Sequence, residues 1–214
     1  MLFQKTVTGE TYLLLKELMS DGRLKDFILV GGTSLSLQIG HRISIDIDLF
    51  SRNNFDSEEL NNYLKDRFQF EQLFRVQNTL KGKIKDVSID LLTHSYPYAF
   101  APNEIDGIRL ASLQDIAAMK LNAIIGNGSR LKDFIDIAYL STKISLEQML
   151  NAYSIKYGTD NPAMAIKALL YHADINFEEP IKMMDTSFSW VPIGKRIQEI
   201  VNNPRKIFGS VVKT

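Results

Sequence analysis

The chain has 214 residues, of which 45% are hydrophobic, enough for one large domain or two small ones with a real core. Its 25 basic residues balance 25 acidic ones, which excludes a general attraction to nucleic acid or anionic membrane, and the absence of cysteine excludes disulfides and thiolate metal sites. We find no signal segment and no apolar run near the ~20 residues of a membrane span, so we expect a cytoplasmic protein without membrane contact.

The first half of the chain alternates between helical and extended patterns. Helices are predicted over residues 9–21, from residue 33 onward, and from about residue 57 to residue 68. Strands are predicted over residues 28–30 and 45–49, between residues 70 and 93, and over residues 107–110. Lys81-Gly82-Lys83 is typical of a turn between two strands, and residues 98–106 are typical of a loop.

From Ser112 onward the pattern is helical. Helices are predicted over residues 112–125, 130–140, 145–158, 161–173 and 191–203, with an irregular stretch over 175–190. A boundary near residue 110 therefore divides the chain into an α/β lobe, residues 1–110, and a helical lobe, residues 111–214. The predicted fold class is α+β, a mixed sheet with flanking helices followed by an α-helical lobe.

A glycine pair follows the first predicted strand. Gly31 and Gly32 come directly after the apolar run that ends at Val30, where a tight turn or a close ligand would leave no room for a Cβ atom. Thr33 and Ser34 are suited to capping the helix that starts there. A helix that opens in this way offers backbone N–H groups and the positive end of its dipole to a phosphate.

Acidic residues recur on the predicted strands that follow. Asp46 and Asp48 alternate with Ile45, Ile47 and Leu49, so both carboxylates are expected on one face of a strand. Asp90 has the same setting in a later strand. If the two strands are neighbours, the three carboxylates form an oxygen ligand set of the kind that Mg²⁺ prefers. Two such ions about 4 Å apart stabilise an in-line phosphoryl displacement.

Each of these features is weak alone. A single Asp-x-Asp also occurs on a solvated strand face or in a nucleotide-sugar transferase, and a single Gly-Gly is often only a turn. Lys81, Lys83 and Lys85 could bind RNA phosphates or form the charged edge of a sheet. The combination of these features in one order is more specific than any of them alone. It consists of Gly31-Gly32, thirteen residues, Asp-Ile-Asp-Leu, and a later Ile-Asp-Leu.

That joint pattern resembles the DNA-polymerase-β-like nucleotidyltransferase superfamily and, within it, the AbiEii/AbiGii toxin family. The resemblance is clear from about Phe27 to Leu140. The segments that carry it are Val30-Gly31-Gly32-Thr33-Ser34-Leu35, Arg42-Ile43-Ser44-Ile45-Asp46-Ile47-Asp48-Leu49-Phe50, Ser88-Ile89-Asp90-Leu91, Met119-Lys120-Leu121-Asn122-Ala123 and Lys132-Asp133-Phe134-Ile135-Asp136.

The resemblance implies roles for the matching residues. Asp46 and Asp48 would hold one or two Mg²⁺ ions, or Mn²⁺, and Asp90 would be the third ligand and a base for the incoming hydroxyl. The residues expected to bind the nucleotide are Gly31, Gly32, Thr33, Ser34, Lys120, Lys132 and Asp133. The helical lobe would close a nucleotide cleft, with Lys120 neutralising phosphate charge.

The resemblance also implies an activity and partners. The expected enzyme moves a nucleoside monophosphate from an NTP to an acceptor hydroxyl, with the tRNA 3′ end as one candidate, and acts as a toxin with a cognate antitoxin. Two alternatives stay open: a non-catalytic nucleotide-binding module, for GTP among others, and a nucleotide-sugar transferase. One departure concerns the acceptor, because relatives often carry Arg where Asn127 stands.

Overall fold

The computed structural model describes residues 1–159, 161–184 and 187–210. The chain divides into two compact units. The first unit contains Met1–Gln38, Ser44–Tyr96 and Pro102–Ala111. The second contains Ile39–Ile43, Pro97–Ala101 and the chain from Ser112 onward. The chain therefore enters the helical unit briefly at residues 39–43, just before the acidic motif.

The first unit is built on one mixed sheet. Within the described residues its strands are β1 (Ile28–Leu29), β2 (Ile47–Ser51), β3 (Glu71–Val76), β4 (Thr79–Ile84), β5 (Val87–Thr93), β6 (Asn103–Ile105) and β7 (Ile108–Leu110). They lie in the order β3-β4-β5-β2-β1-β7-β6. The central pair, β2 and β5, is parallel, whereas β1 runs antiparallel to β2. The predicted mixed sheet is confirmed.

Helices flank this sheet: α1 (Gly9–Ser20), α2 (Gly31–Ile39) and α3 (Ser57–Phe68). Strict alternation in β2 and β5 sends Ile47, Leu49, Ile89 and Leu91 into one buried core. Leucines of α1 and α3 join that core. Because this face is filled with apolar side chains, the alternate residues of both strands are left on the opposite, partly exposed face.

The second unit is helical. Its helices are α4 (Leu113–Gly126), α5 (Leu131–Leu140), α6 (Leu146–Tyr157), α7 (Ala163–Leu170) and α8 (Trp190–Asn202). Ser112 caps α4 through the backbone N–H of Asp115, and Ser145 forms a full capping box with Gln148 at the start of α6. The five helices predicted from the sequence are confirmed. The described helices include none that combines the length and apolarity needed to cross a membrane.

Two local predictions are wrong. Lys81-Gly82-Lys83 lies inside β4, and the strand connections are made instead at Asn78 and Lys85, whose φ angles are 59° and 53°. Gly82 is required within the strand, since a Cβ there would lie 2.8 Å from Cε2 of Phe70. The stretch predicted as a loop over residues 98–106 contains β6.

Candidate active site

The glycine pair opens helix α2 directly at the end of β1. Gly31 has a φ of +68°, a left-handed conformation that favours glycine. A Cβ atom at Gly31 would overlap Oδ2 of Asp48 and lie 3.2 Å from its Cγ. The first turn of α2 therefore lies against the Asp48 carboxylate. Its early N–H groups, which have no partner within the helix, carry the positive end of the helix dipole beside that anion.

Thr33 and Ser34 lie within α2, so the prediction that they cap it is wrong. The helix begins at Gly31, two residues earlier than expected. The Thr33 and Ser34 side chains are both buried. The Thr33 hydroxyl donates to the backbone oxygen of Asp46 and lies 2.9 Å from Oγ of Ser44. Thr33 thereby fixes the segment that leads into β2.

The acidic motif is divided between a strand and the segment before it. Asp48 lies in β2 and stands directly opposite Asp90 of the parallel strand β5. Asp46 was expected on the strand, but β2 begins only at Ile47, and Asp46 is exposed. Ile45, expected on the apolar face, is 57% exposed. The register thus brings Asp48 and Asp90 together, with Asp46 two residues upstream of Asp48.

Asp90 has a cationic partner that sequence reasoning missed. Lys81 of β4 stands opposite Asp90 in the antiparallel β4–β5 register, and its ammonium forms an ion pair with the Asp90 carboxylate. The Lys81 and Asp90 side chains are 42% and 30% exposed, so solvent screens the pair. The turn assigned to Lys81-Gly82-Lys83 concealed this pairing, because it removed Lys81 from the strand. Lys85, the third of the lysines considered for RNA binding, pairs with Glu10 at 3.3 Å.

A divalent cation fits this donor set through two carboxylates. Across residues 1–159, 161–184 and 187–210, no group of three or more His, Asp or Glu side chains is arranged to hold a metal. Mg²⁺, however, is commonly held by one or two carboxylates and completes its shell with waters and substrate phosphates. Asp48 and Asp90, register-paired oxygen donors beside a helix N-terminus, have this chemistry.

The helical unit contains a buried cluster of charges. Asp136, fully buried, accepts from Nε and Nη2 of Arg42 at 2.8 and 2.9 Å. The Lys120 ammonium lies 2.7 Å from both Asp136 Oδ2 and Asp133 Oδ1. His41 Nε2 lies 2.8 Å from Asp136 Oδ1. Lys120 and Asp133, both predicted to bind nucleotide, are therefore paired with each other, and Lys120 also pairs with Asp136, which lies outside the predicted set.

The cluster shifts the pKa values of its members. Burial by itself would raise the pKa of Asp136, but Arg42 and Lys120 outweigh it and hold that pKa well below its usual range. Burial would lower the pKa of Lys120, yet the carboxylates of Asp136 and Asp133 raise it. For His41 burial dominates and lowers the pKa. The His41 ring is therefore neutral near pH 7, and its Nε2–H donates to Asp136.

The other residues singled out in the helical unit lie at the end of α4 and at the start of α5. The Lys132 ammonium pairs with Glu179 at 3.0 Å. Asn127 ends α4, and its side-chain oxygen accepts from the N–H of Ser129. Arg130 Nε lies 3.6 Å from Asp133 Oδ2, so this cation stands beside the cluster. Phosphate binding by Lys120, Lys132 and Asp133 stays a prediction.

His41, Arg42 and Asp136 are further residues that sequence reasoning did not assign to a site. Arg42 and Asp136 stand inside the quoted motifs, but 94 residues separate them. The one local signal was the spacing of Asp133 and Asp136, which places both on one face of a helix. Nothing in the spacing indicated that Arg42 would meet them.

Comparisons with known proteins identify the family of the chain. The model of the family described as "Nucleotidyl transferase AbiEii toxin, Type IV TA system" matches residues 13–107 and 91–195. An uncharacterized protein of Aquifex aeolicus (strain VF5) is 31% identical over 170 residues, 77% of this chain and 82% of that protein.

Solved structures share the fold. A candidate nucleotidyltransferase from H. pylori superposes with a TM-score of 0.54 at 16% identity, over 92% of this chain and 96% of that one. The antibiotic-resistance factor ANT(2″)-Ia gives a TM-score of 0.50 at 15% identity, over 69% and 91% of the two chains. The family match favours nucleotide transfer over the binding-module and nucleotide-sugar alternatives. The chain belongs to the AbiEii nucleotidyltransferase toxin family and is a nucleotidyltransferase.

Proposed function

We propose that the enzyme moves a nucleoside monophosphate from an NTP to an acceptor hydroxyl on RNA, with the tRNA 3′ end as the first candidate, and that this activity makes it a toxin. The observation that carries the proposal is the register that sets Asp48 opposite Asp90, with the N-terminus of α2 against Asp48. Two anionic oxygen donors beside a phosphate-binding helix end are suited to an NTP with its metal.

Backbone and side-chain groups of the chain have specific roles in the proposed reaction. The N–H groups at Gly31 and Gly32 bind and orient the triphosphate. The acceptor oxygen attacks the α-phosphorus, and a new O–P bond forms. The bond from that phosphorus to the bridging oxygen breaks, and pyrophosphate leaves with the electron pair. An Asp90 carboxylate oxygen accepts the proton of the attacking hydroxyl.

Asp48 and Asp90 are the residues that would hold Mg²⁺, with Asp46, two residues before Asp48, proposed as a further ligand. When bound, the ion neutralises charge that develops on the phosphate oxygens. The Lys81 ammonium pairs with the Asp90 carboxylate and would compete with a cation bound there.

The proposal is tested with α-labelled NTPs and total tRNA. Asp48→Asn and Asp90→Asn should each lower transfer on the order of a hundred-fold or more, because a group that stabilises transition-state charge is lost. Asp86→Asn is the matched control, an exposed aspartate of the same sheet in the turn before β5. Unchanged transfer in either site variant, with the fold intact by circular dichroism, would contradict the assignment of Asp48 and Asp90 to the active site.

The toxin role and the antitoxin need a separate test. Inducible expression in a bacterial host should arrest growth, and the Asp48→Asn variant should not. Co-expression of a neighbouring open reading frame that restores growth would identify the antitoxin. Growth arrest by the Asp48→Asn variant would separate toxicity from nucleotide transfer and contradict this part of the proposal.

A further inference from the structure

A row of aromatic rings lies on the sheet face that carries Asp48 and Asp90. Phe50 follows Asp48 by two residues in β2, so the two side chains lie on the same face of the sheet. The buried Leu49 between them points to the other face. His94 follows Asp90 by four residues, just past the end of β5. Tyr96 is two residues further. We name Phe50, His94 and Tyr96 the aromatic shelf.

The rings of the shelf are in contact with one another. The Phe50 and His94 rings stack, with centroids 5.6 Å apart and planes inclined by 25°. The His94 and Tyr96 centroids are 4.9 Å apart. Tyr96 is 48% exposed, and Phe50 and His94 are half-buried. The three rings thus form one group of neighbouring aromatic side chains that is partly open to solvent.

The core of the unit does not account for this arrangement. The apolar residues of β2 and β5 that fill the core, Ile47, Leu49, Ile89 and Leu91, point to the other side of the sheet. Apolar side chains that form a contiguous patch on an exposed face can mark an interaction site, whereas single exposed ones need no explanation.

The shelf lies within reach of the carboxylates. Two residues of strand separate Phe50 from Asp48, a rise of about 6.6 Å. On the neighbouring strand β4, Lys81 and Lys83 alternate with the buried residues Leu80 and Ile84, so their side chains share the face of the shelf. Lys81 stands opposite Asp90, and Lys83 is two residues further from the shelf. Single-stranded nucleic acid is commonly bound by aromatic side chains that stack with its bases together with cationic side chains along its backbone.

The shelf and the glycine turn lie on opposite sides of Asp48. The antiparallel register pairs Leu29 with Leu49, and the N–H of Val30 bonds to the oxygen of Asp48. Gly31 is therefore level with Ile47, toward the start of β2, whereas Phe50 lies toward its end. A triphosphate at the start of α2 would leave the shelf to the other substrate.

We propose that the aromatic shelf binds the terminal nucleobase of a single-stranded RNA acceptor by stacking, and so presents its hydroxyl to the Asp48–Asp90 pair. This inference rests on the proposed nucleotide transfer for the identity of the second substrate. Stacking is tolerant of sequence because every base has a π-face, so the shelf selects an unpaired end rather than a particular base.

Binding of a short fluorescein-labelled single-stranded RNA, followed by anisotropy, tests the shelf without turnover. Phe50→Ala and Tyr96→Ala should each weaken binding about ten-fold. Phe50→Tyr and Tyr96→Phe keep the rings and should bind as the unchanged protein does. An RNA whose 3′ residue is abasic should bind the unchanged protein more weakly, with little further loss in Phe50→Ala.

Three results would overturn the inference: no RNA binding by the unchanged protein, equal binding by the alanine variants, or loss of NTP affinity in those variants with RNA binding intact. The last would assign the shelf to the base of the NTP. Because binding is read without catalysis, RNA binding by the shelf in a protein that transfers no nucleotide would refute the proposed function and would still support stacking of RNA on the shelf. Nucleotide transfer by a protein whose RNA binding is unchanged in the alanine variants would support the proposed function and refute this inference.

Discussion

Gly31→Ala separates the two demands that the structure makes on this glycine. The first is backbone conformation: a left-handed φ of +68° costs an L-residue about 1–2 kcal/mol. The second is space, since the new Cβ would overlap Oδ2 of Asp48 and lie 3.2 Å from Cγ. The flexible end of Asp48 can relieve this overlap only by moving on the order of 1 Å, to a C···O separation of about 3.3 Å.

A displacement of that size costs about a hundred-fold in rate when the displaced group orients a reacting centre. We therefore expect Gly31→Ala to lower transfer of α-labelled nucleotide about a hundred-fold, while its melting temperature falls by only about 2–8 °C. Gly158→Ala is the matched control: its φ is +63°, but nothing lies within 4 Å of the added Cβ. It should show the same loss of stability with full activity.

Either of two results with these variants would contradict the expected role of Gly31. Full activity of Gly31→Ala would show that the position of the Asp48 carboxylate does not matter for transfer. Equal loss of activity in Gly158→Ala would show that the effect comes from backbone strain and not from the overlap at the site.

Three further predictions concern charged groups. Asp136→Asn leaves buried cations uncompensated and should lower the free energy of unfolding in urea by about 3–5 kcal/mol; a loss below 1 kcal/mol would contradict a cooperative cluster. Lys81→Met should change stability by no more than about 1 kcal/mol but strengthen Mg²⁺ binding in calorimetry, since it frees Asp90 from a competing cation; unchanged Mg²⁺ affinity would exclude Asp90 as a ligand. Stability should also fall as the pH drops below about 6.5, because burial lowers the pKa of His41 and the unfolded chain then binds a proton that the folded one does not. The depressed pKa of Asp136 adds a second loss below about pH 4, and urea unfolding of His41→Gln should keep only that second loss.

The sequence predicted the parts of the site that follow from strand periodicity. Alternation placed Asp48 and Asp90 on one face, and the parallel register of β2 and β5 confirmed that they meet. Asp46 was misplaced because Ile45 extends the alternating pattern, although the strand begins two residues later and Ile45 is exposed. Alternation describes a strand but does not say where the ladder of hydrogen bonds starts.

Long-range pairings were beyond local patterns. Gly82 suggested a turn by its propensity, but it lies in β4, where the ring of Phe70 packs in the space of a side chain. Lys81 of the same strand stands opposite Asp90. The real connections use Asn78 and Lys85 at positive φ, and lysine is an unusual residue there. Likewise, Arg42 and Asp136 meet only through the packing of the helical unit.

Transfer of a nucleoside monophosphate is measured most directly by following two labels of one NTP, one on the α-phosphate and one on the γ-phosphate. With total tRNA and Mg²⁺, label from the α-phosphate should become covalently attached to RNA, while label from the γ-phosphate should appear only in pyrophosphate. Attachment of the γ-label would make the enzyme a phosphotransferase, and attachment of neither label to any RNA would contradict nucleotide transfer to this acceptor class.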